Sequence, residues 1–221
     1  MINTIRIFTI VILSICQLAL NAQSFEGHLT MKMEVIDVPA EMESMKAMFE
    51  STIQIYIKNE QSRSEMTNAL TGNMVVISDG KKNEVTMLMD MMGEKTAVVY
   101  GMEEYKAQKE QGTNDIQTKK TGITKVIAGH TCEKVLATIK TADGSAEMEV
   151  WCANDIQNVN AEMADYPGMP LEYTIIAEGI KMHFITTEIT EKKVDENLFT
   201  IPAGYTKKTS KEFEQGFGGK H

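Results

Sequence analysis

The sequence predicts a mainly β protein, a curved antiparallel sheet or half-open β-barrel with one or two short helices as lid or plug. Three observations carry this. Apolar and polar residues alternate with a period of two along most of the chain, dipeptides ending in glycine separate the alternating runs, and no sustained heptad or helical repeat appears.

Residues 1–22 open with Arg6, continue through an apolar run from Ile7 to Leu20, and reach Leu20-Asn21-Ala22 before Gln23. This order is that of a secretory signal with a small residue at the cut. A membrane anchor competes, but the run falls short of the roughly 20 residues a comfortable span requires. Cys16 raises the alternative of a lipid-modified cysteine, for which the bulky Ile15 before it is a poor fit. The expected organisation is a signal peptide over 1–22, a single antiparallel β domain over 23–207 and a flexible tail over 208–221. The expected location is periplasmic or extracellular.

The first strand is expected over Phe25 to Ile36, where Leu29, Met31, Met33 and Val35 share one face. Ala40 to Glu50 follows Pro39 and spaces Met42, Met45 and Phe49 by three and four, as in a short amphipathic helix or lid. Ile53, Ile55 and Ile57 alternate up to an Asn59-Glu60 turn, with a return strand over Arg63 to Thr67. Met74 to Ser78 and Glu84 to Asp90 flank Asp79-Gly80, a hairpin signal. Thr96 to Tyr100 is another strand, Met102 to Gln111 a brief helix, and Gln111 to Thr121 is polar enough for a connection. Ile156, Val159 and Met163 have helical spacing before Tyr166-Pro167-Gly168-Met169-Pro170 stops regular structure. Leu171 to Ala177 and Ile180 to Ile189 alternate around Glu178-Gly179, and Leu198 to Pro202 resembles a final packed edge.

The stretch from Ile123 to Asp155 is the most informative. A two-residue turn at Asp143-Gly144 would set Ile139 opposite Met148, Ala137 opposite Val150 and Val135 opposite Cys152 on an apolar face. The other face would pair Lys140 with Glu147, Thr138 with Glu149 and Leu136 with Trp151. This register puts Cys132 and Cys152 on opposite faces and out of pairing, against a disulfide. Export to an oxidising compartment argues for one, so the Cys132–Cys152 bond stays open at this point.

Composition excludes several functions. The formal net charge is -9, removal of the leader takes away Arg6, and Arg63 is then the remaining arginine. Such a chain lacks the clustered positive charge that nucleic acid or anionic headgroups demand. No nucleophile elbow, phosphate-binding loop, His-Glu-x-x-His segment or dinucleotide fingerprint occurs, so no catalytic residue and no cofactor is expected. His130 with Cys132 lacks an orienting third group, and Glu103, Glu104, Glu147 and Glu149 read as solvated charges. The four histidines have no ligand spacing for zinc. The run Met87-Leu88-Met89-Asp90-Met91-Met92 offers soft sulfurs that would suit Cu(I), but its side chains alternate across a strand.

Phe25-Glu26-Gly27, Ile127-Ala128-Gly129-His130-Thr131-Cys132, Glu149-Val150-Trp151 and Leu198-Phe199-Thr200-Ile201-Pro202-Ala203-Gly204-Tyr205 occur in this order behind the leader. Together they resemble the secreted domain of unknown function 4412 family of Gram-negative bacteria, and more distantly the lipoprotein-carrier (LolA-like) half-barrels. The resemblance implies a curved antiparallel sheet partly wrapped around helices or a lid, and no catalytic residues. If the sheet is such a half-barrel, its concave face is a candidate cavity for a lipid or other apolar small molecule. Met31 and Met33, Met42 and Met45, and Met87, Met89 and Met91 are its candidate lining, because flexible thioethers conform to irregular apolar ligands. The competing expectation is an envelope structural or interaction protein, with an envelope protein as partner and a sheet filled by its own side chains.

Overall fold

A computed structural model describes residues 25–68, 72–91, 93–112, 114–141, 144–177 and 179–218. Residues 1–22, expected to be a signal peptide, lie outside the described residues, as do Ala142 and Asp143 of the central hairpin. Twelve strands form one curled sheet. A first meander runs through β1 (Glu26–Asp37), β2 (Ser51–Lys58), β3 (Gln61–Asn68), β4 (Gly72–Asp79), β5 (Glu84–Met91) and β6 (Glu94–Gly101). A second runs through β7 (Asn114–Ile127), β8 (His130–Thr141), β9 (Gly144–Ala153), β10 (Met169–Ala177) and β11 (Ile180–Glu191). The meanders join where β11 pairs antiparallel with β1, and β12 (Thr206–Thr209) adds a parallel edge on β6. The helices are α1 (Lys46–Phe49), α2 (Met102–Gly112) and α3 (Ser210–Gly218), with short 3-10 turns at Ala40–Met45, Ala161–Met163 and Glu196–Phe199. Among the described residues, no helix is long and apolar enough to cross a membrane.

The direction of curl follows from which side chains meet. Ile55 and Ile57 of β2 share a buried cluster with Ile127 of β7, although five strands separate β2 from β7 in the sheet order. Met31 and Met33 of β1 likewise meet Val135 and Ala137 of β8. Only a sheet bent toward this face brings such distant strands together, so it is the inner face. The opposite face carries Val75, Ile77, Leu88 and Ala97, covered by Val194 and Phe199 of the chain that follows β11.

Turn chemistry explains several of the connections. Asn59 adopts φ 55° in the two-residue turn that pairs Lys58 with Gln61, a left-handed conformation that asparagine tolerates. The β10–β11 turn also has two residues, since Ala177 pairs with Ile180 and Gly179 takes φ 78°. Asp79-Gly80 is not a two-residue turn. Asp79 pairs with Glu84, and its Oδ1 accepts from the backbone N–H groups of Lys81 and Lys82, each at 3.1 Å, closing a four-residue loop.

The central hairpin keeps its predicted faces but not its predicted partners. Val135 opposes Val150, Ala137 opposes Met148 and Thr141 opposes Gly144, so the two residues between the strands are Ala142 and Asp143. A shift of two positions leaves every side chain on the same face, and hydrophobic alternation therefore cannot detect it. The observed register ends β9 at Ala153, where Met169 of β10 pairs with it. The predicted one would draw Asn154 and Asp155 into the ladder.

Other expectations also change. Gln111 to Thr121 is not a polar connection but the end of α2 and the first half of β7, an edge strand with exposed Lys119 and Lys120. Edge strands are commonly charged because that discourages pairing with other chains. The helical spacing of Ile156, Val159 and Met163 gives an irregular segment with a single 3-10 turn, and Leu198 to Pro202 gives a 3-10 turn and extended chain instead of a strand. Within the span expected as a tail, β12 continues to Thr209 and α3 follows, with Ser210 Oγ hydrogen-bonded to Glu104 and Gln108 Nε2 donating to Glu214 Oε1 at 2.6 Å.

Candidate functional site: the inner face

The inner face is assembled in rows across the sheet. Thr186, Met31, Ile53, Met66, Met74, Met89 and Thr96 stand opposite one another in turn on β11, β1, β2, β3, β4, β5 and β6. A parallel row holds Leu29, Ile55, Ser64, Val76, Met87 and Val98. The next holds Ile57, Ser62, Ser78, Val85 and Tyr100. Period-two alternation puts each of these on one face, and adjacent rows are two residues apart.

The connection from β9 to β10, residues 154–168, lies against the latter two rows. Ile156 is 1% exposed among Leu29, Ile55 and Ile57, and Ala161 is buried with Val76 and Val85. Three serines hold the backbone and side chains of this inner segment. Ser62 Oγ donates to the Val159 carbonyl at 3.3 Å, the Asn160 side-chain amide donates to Ser64 Oγ at 3.2 Å, and the Ala161 N–H donates to Ser78 Oγ at 3.1 Å. Small hydroxyls on an otherwise apolar face thus satisfy polar groups of an irregular segment that cannot satisfy its own. At the β6 end, Met102 and Tyr105 of α2 cover Met87 and Val85, with Tyr105 edge-on to Tyr100.

The row through Met31 is treated differently along its length. Met31 is 2% exposed beneath Tyr166 and accepts a hydrogen bond from the Tyr173 hydroxyl to its Sδ at 3.9 Å. Ile53, Met66, Met74 and Met89 are only half-buried. On the other side of β1, Ile116, Met148, Met163, Ile175 and Met182 are half-buried around the cluster of Met33, Val135, Val150, Tyr173 and Phe184. The inner face is therefore filled on one side of the Met31 row and lined by partly exposed methionine and isoleucine along it. Thr186 Oγ1, at the β11 end of this row, is buried with no hydrogen-bond partner among the described residues.

The methionines singled out from the sequence fall into three places. Met31, Met33, Met87 and Met89 stand on the inner face, the first two in the packed core. Met42 packs with Phe49 and Met182 on Val35, Val38 and Ile180, and Met45 is half-buried on the adjoining 3-10 turn. Met91 ends β5 opposite Glu94. Met66 and Met74 were not singled out, though both belong to alternating runs in the sequence. Their place in the row emerges only when the β2–β3, β3–β4 and β4–β5 registers are known together.

Cys132 and Cys152 are free thiols, each fully buried. Cys132 opposes Ala153 and Cys152 opposes Glu133, so the cysteines sit on neighbouring rungs and not three positions apart. Burial, reinforced by Asp155, pushes the Cys132 thiol up to about 11; burial, reinforced by Cys132, pushes Cys152 up to about 12. Both are protonated at neutral pH, and a protonated thiol is a poor nucleophile. His130 Nδ1 is 2.8 Å from Asp155 Oδ2, while Cys132 Sγ meets the His130 backbone carbonyl at 3.7 Å and not its ring. Among the described residues, no group of three or more His, Cys, Asp or Glu could hold a metal.

Fold and site together define a mainly β, half-open barrel with an apolar inner face. The chain belongs to the family described as a domain of unknown function, DUF4412, whose model matches residues 25–166. No curated protein matches the sequence. Among solved structures, PNGF-II is similar at 16% identity and a TM-score of 0.53, over 87% of this chain and 33% of PNGF-II. The chain thus spans about a third of that protein's length, and the likeness is one of fold. The lipoprotein LppX of Mycobacterium tuberculosis is similar at 11% identity and a TM-score of 0.38, over 84% of this chain and 97% of LppX. A β-barrel-like protein of the DUF1849 domain of unknown function from Brucella abortus is similar at 7% identity and a TM-score of 0.39, over 77% of this chain and 99% of that one.

Proposed function

We propose that this is an exported cell-envelope protein that binds a lipid or other apolar molecule along the methionine row of its inner face, without acting on it chemically. The observation that carries the reading is the half-buried stretch Ile53, Met66, Met74 and Met89, four apolar side chains in register on four adjacent strands. Contiguous apolar surface that the fold leaves partly in water favours an apolar occupant, each buried methylene contributing about 0.8 kcal/mol. Unbranched thioethers adjust to chains of differing shape, which suits a binder of modest selectivity. Native mass spectrometry after mild purification is expected to show lipid-sized adducts. Met74→Glu or Met89→Glu, which place a carboxylate in the row, should remove them, and Ile176→Glu, at a position 70% exposed on β10, should not. Adduct-free wild-type protein with no affinity for fatty-acid probes would overturn the reading.

One observation favours the second reading, an envelope structural or interaction protein with a filled core. The inner segment already occupies two of the three rows with Ile156 and Ala161. Crosslinking in cells separates the two, since this reading expects a stable envelope partner and no bound lipid.

A further inference from the structure

Met66, Met74 and Met89 stand directly opposite one another on β3, β4 and β5, three thioethers in one line across adjacent strands. All three side chains are half-buried, neither packed away like Met31, 2% exposed, nor fully in water. Apolar surface is supplied by leucine or isoleucine too, whereas a soft, uncharged sulfur donor at every position is particular to methionine. Thioethers favour Cu(I) among the biological metals, while harder ions call for oxygen, imidazole or thiolate ligands. Among the described residues, no group of three or more His, Cys, Asp or Glu could serve those ions.

The register makes the geometry workable. Neighbouring strands lie about 4.8 Å apart, so Met66 and Met89 start about 10 Å apart with Met74 midway between them. Around one ion, at a metal–sulfur distance of about 2.3 Å, three sulfurs stand about 4 Å from one another. The outer two must each lean about 3 Å toward Met74, which an unbranched side chain with three rotatable bonds can do. The curl of the sheet helps, because side chains on a concave face converge. Half-burial matters as well, since a monovalent cation left partly in water escapes the full desolvation cost of a buried charge without a counter-ion.

We propose that Met66, Met74 and Met89 form a three-thioether site for Cu(I). This goes beyond the lipid-binding reading, which uses the apolar character of the same row and not its sulfur. Cu(I), kept reduced with ascorbate and out of air, is titrated into the full chain labelled with ¹³C-methyl methionine. A saturable shift of the Met66, Met74 and Met89 methyls is expected, with Met33, buried in the packed core, and the exposed Met48 unchanged. Losing a group that only orients a metal ligand costs about 10–100-fold in affinity, so Met66→Leu, Met74→Leu or Met89→Leu, which removes a ligand itself, should cost at least about tenfold. Leucine conserves volume, so these variants keep the fold and the apolar row. Met48→Leu should bind as wild type does. Thioethers have no proton to lose, so the affinity should hold between about pH 7 and pH 5, where thiolate or imidazole ligands would weaken. The proposal is overturned by unshifted methyls at the three positions, by leucine variants that bind like wild type, or by an affinity that falls with pH. Because the leucine variants stay apolar, their binding of a fatty-acid probe bears on the lipid reading alone, and failure of one reading is told apart from failure of the other.

Discussion

Ser78→Ala removes the oxygen that receives the Ala161 N–H and so tests whether the inner segment is held by the serines of the sheet. The bond is 3.1 Å long, and Ser78 and Ala161 are 1% and 4% exposed, so water cannot replace the lost acceptor. An orphaned buried donor costs about 1–3 kcal/mol, against which the small cavity left by one oxygen is minor. With a urea m-value of about 2 kcal/mol/M, the midpoint should fall by about 0.5–1.5 M. Ser51→Ala is the control, because its hydroxyl donates at 2.9 Å to the Thr67 carbonyl in an exposed setting. That variant should stay within about 0.5 kcal/mol of wild type. Urea denaturation followed by circular dichroism gives both numbers, and hydrogen exchange at Ala161 should quicken in Ser78→Ala alone. Equal midpoints for the two variants would refute the view that this hydrogen bond anchors the segment.

Thr186→Val replaces a buried hydroxyl that has no partner among the described residues with a near-isosteric methyl, and thermal denaturation should show a stabilisation of about 1 kcal/mol; a loss of that size would mean the hydroxyl is bonded in solution. Burial acts to raise the Asp79 pKa, but the hydrogen bonds and charge of Lys82, with Gln61, outweigh it and hold the carboxyl below its ordinary value. The stability this confers is present above the unfolded value of about 4 and is lost as pH falls through the lower folded value. Asp79→Asn should therefore be less stable than wild type at pH 7, with the gap closing below about pH 4; a gap independent of pH would contradict this. Cys132 and Cys152, buried and protonated, should resist alkylation at pH 7 in the folded protein and react once it is unfolded, with peptide mass spectrometry as the check. Rapid labelling of either folded thiol, or a mass showing the pair oxidised, would count against the free, buried assignment.

Much of the fold was legible because alternation survives local errors. Leu29, Met31, Met33 and Val35 share a face in sequence and in structure, and the turns at Asn59-Glu60 and between Ala177 and Ile180 fall where short polar breaks interrupt alternating runs. Register was less legible. Asp143-Gly144 has the stronger turn chemistry, yet the strands close one residue earlier, because the ladder with β10 favours ending at Ala153 and a two-residue slip leaves the faces unchanged. The polarity of β7 suggested a loop because an edge strand, exposed on both faces over Gln117 to Lys120, has no apolar stripe to announce it. The candidate site was half legible for a related reason. Met31 and Met33, or Met87 and Met89, are neighbours along one strand and could be read directly, whereas Met66 and Met74 join them across three strand pairs distant from simple sequence spacing.

The methionine row is tested most directly by methyl NMR of protein labelled with ¹³C-methyl methionine and titrated with a fatty acid below its micelle concentration. The expected result is a saturable shift of the half-buried Met66, Met74 and Met89 methyls, with Met48 of α1, 39% exposed, unchanged. No saturable shift in the row, or shifts at Met48 equal to those in the row, would contradict an apolar ligand held on the inner face.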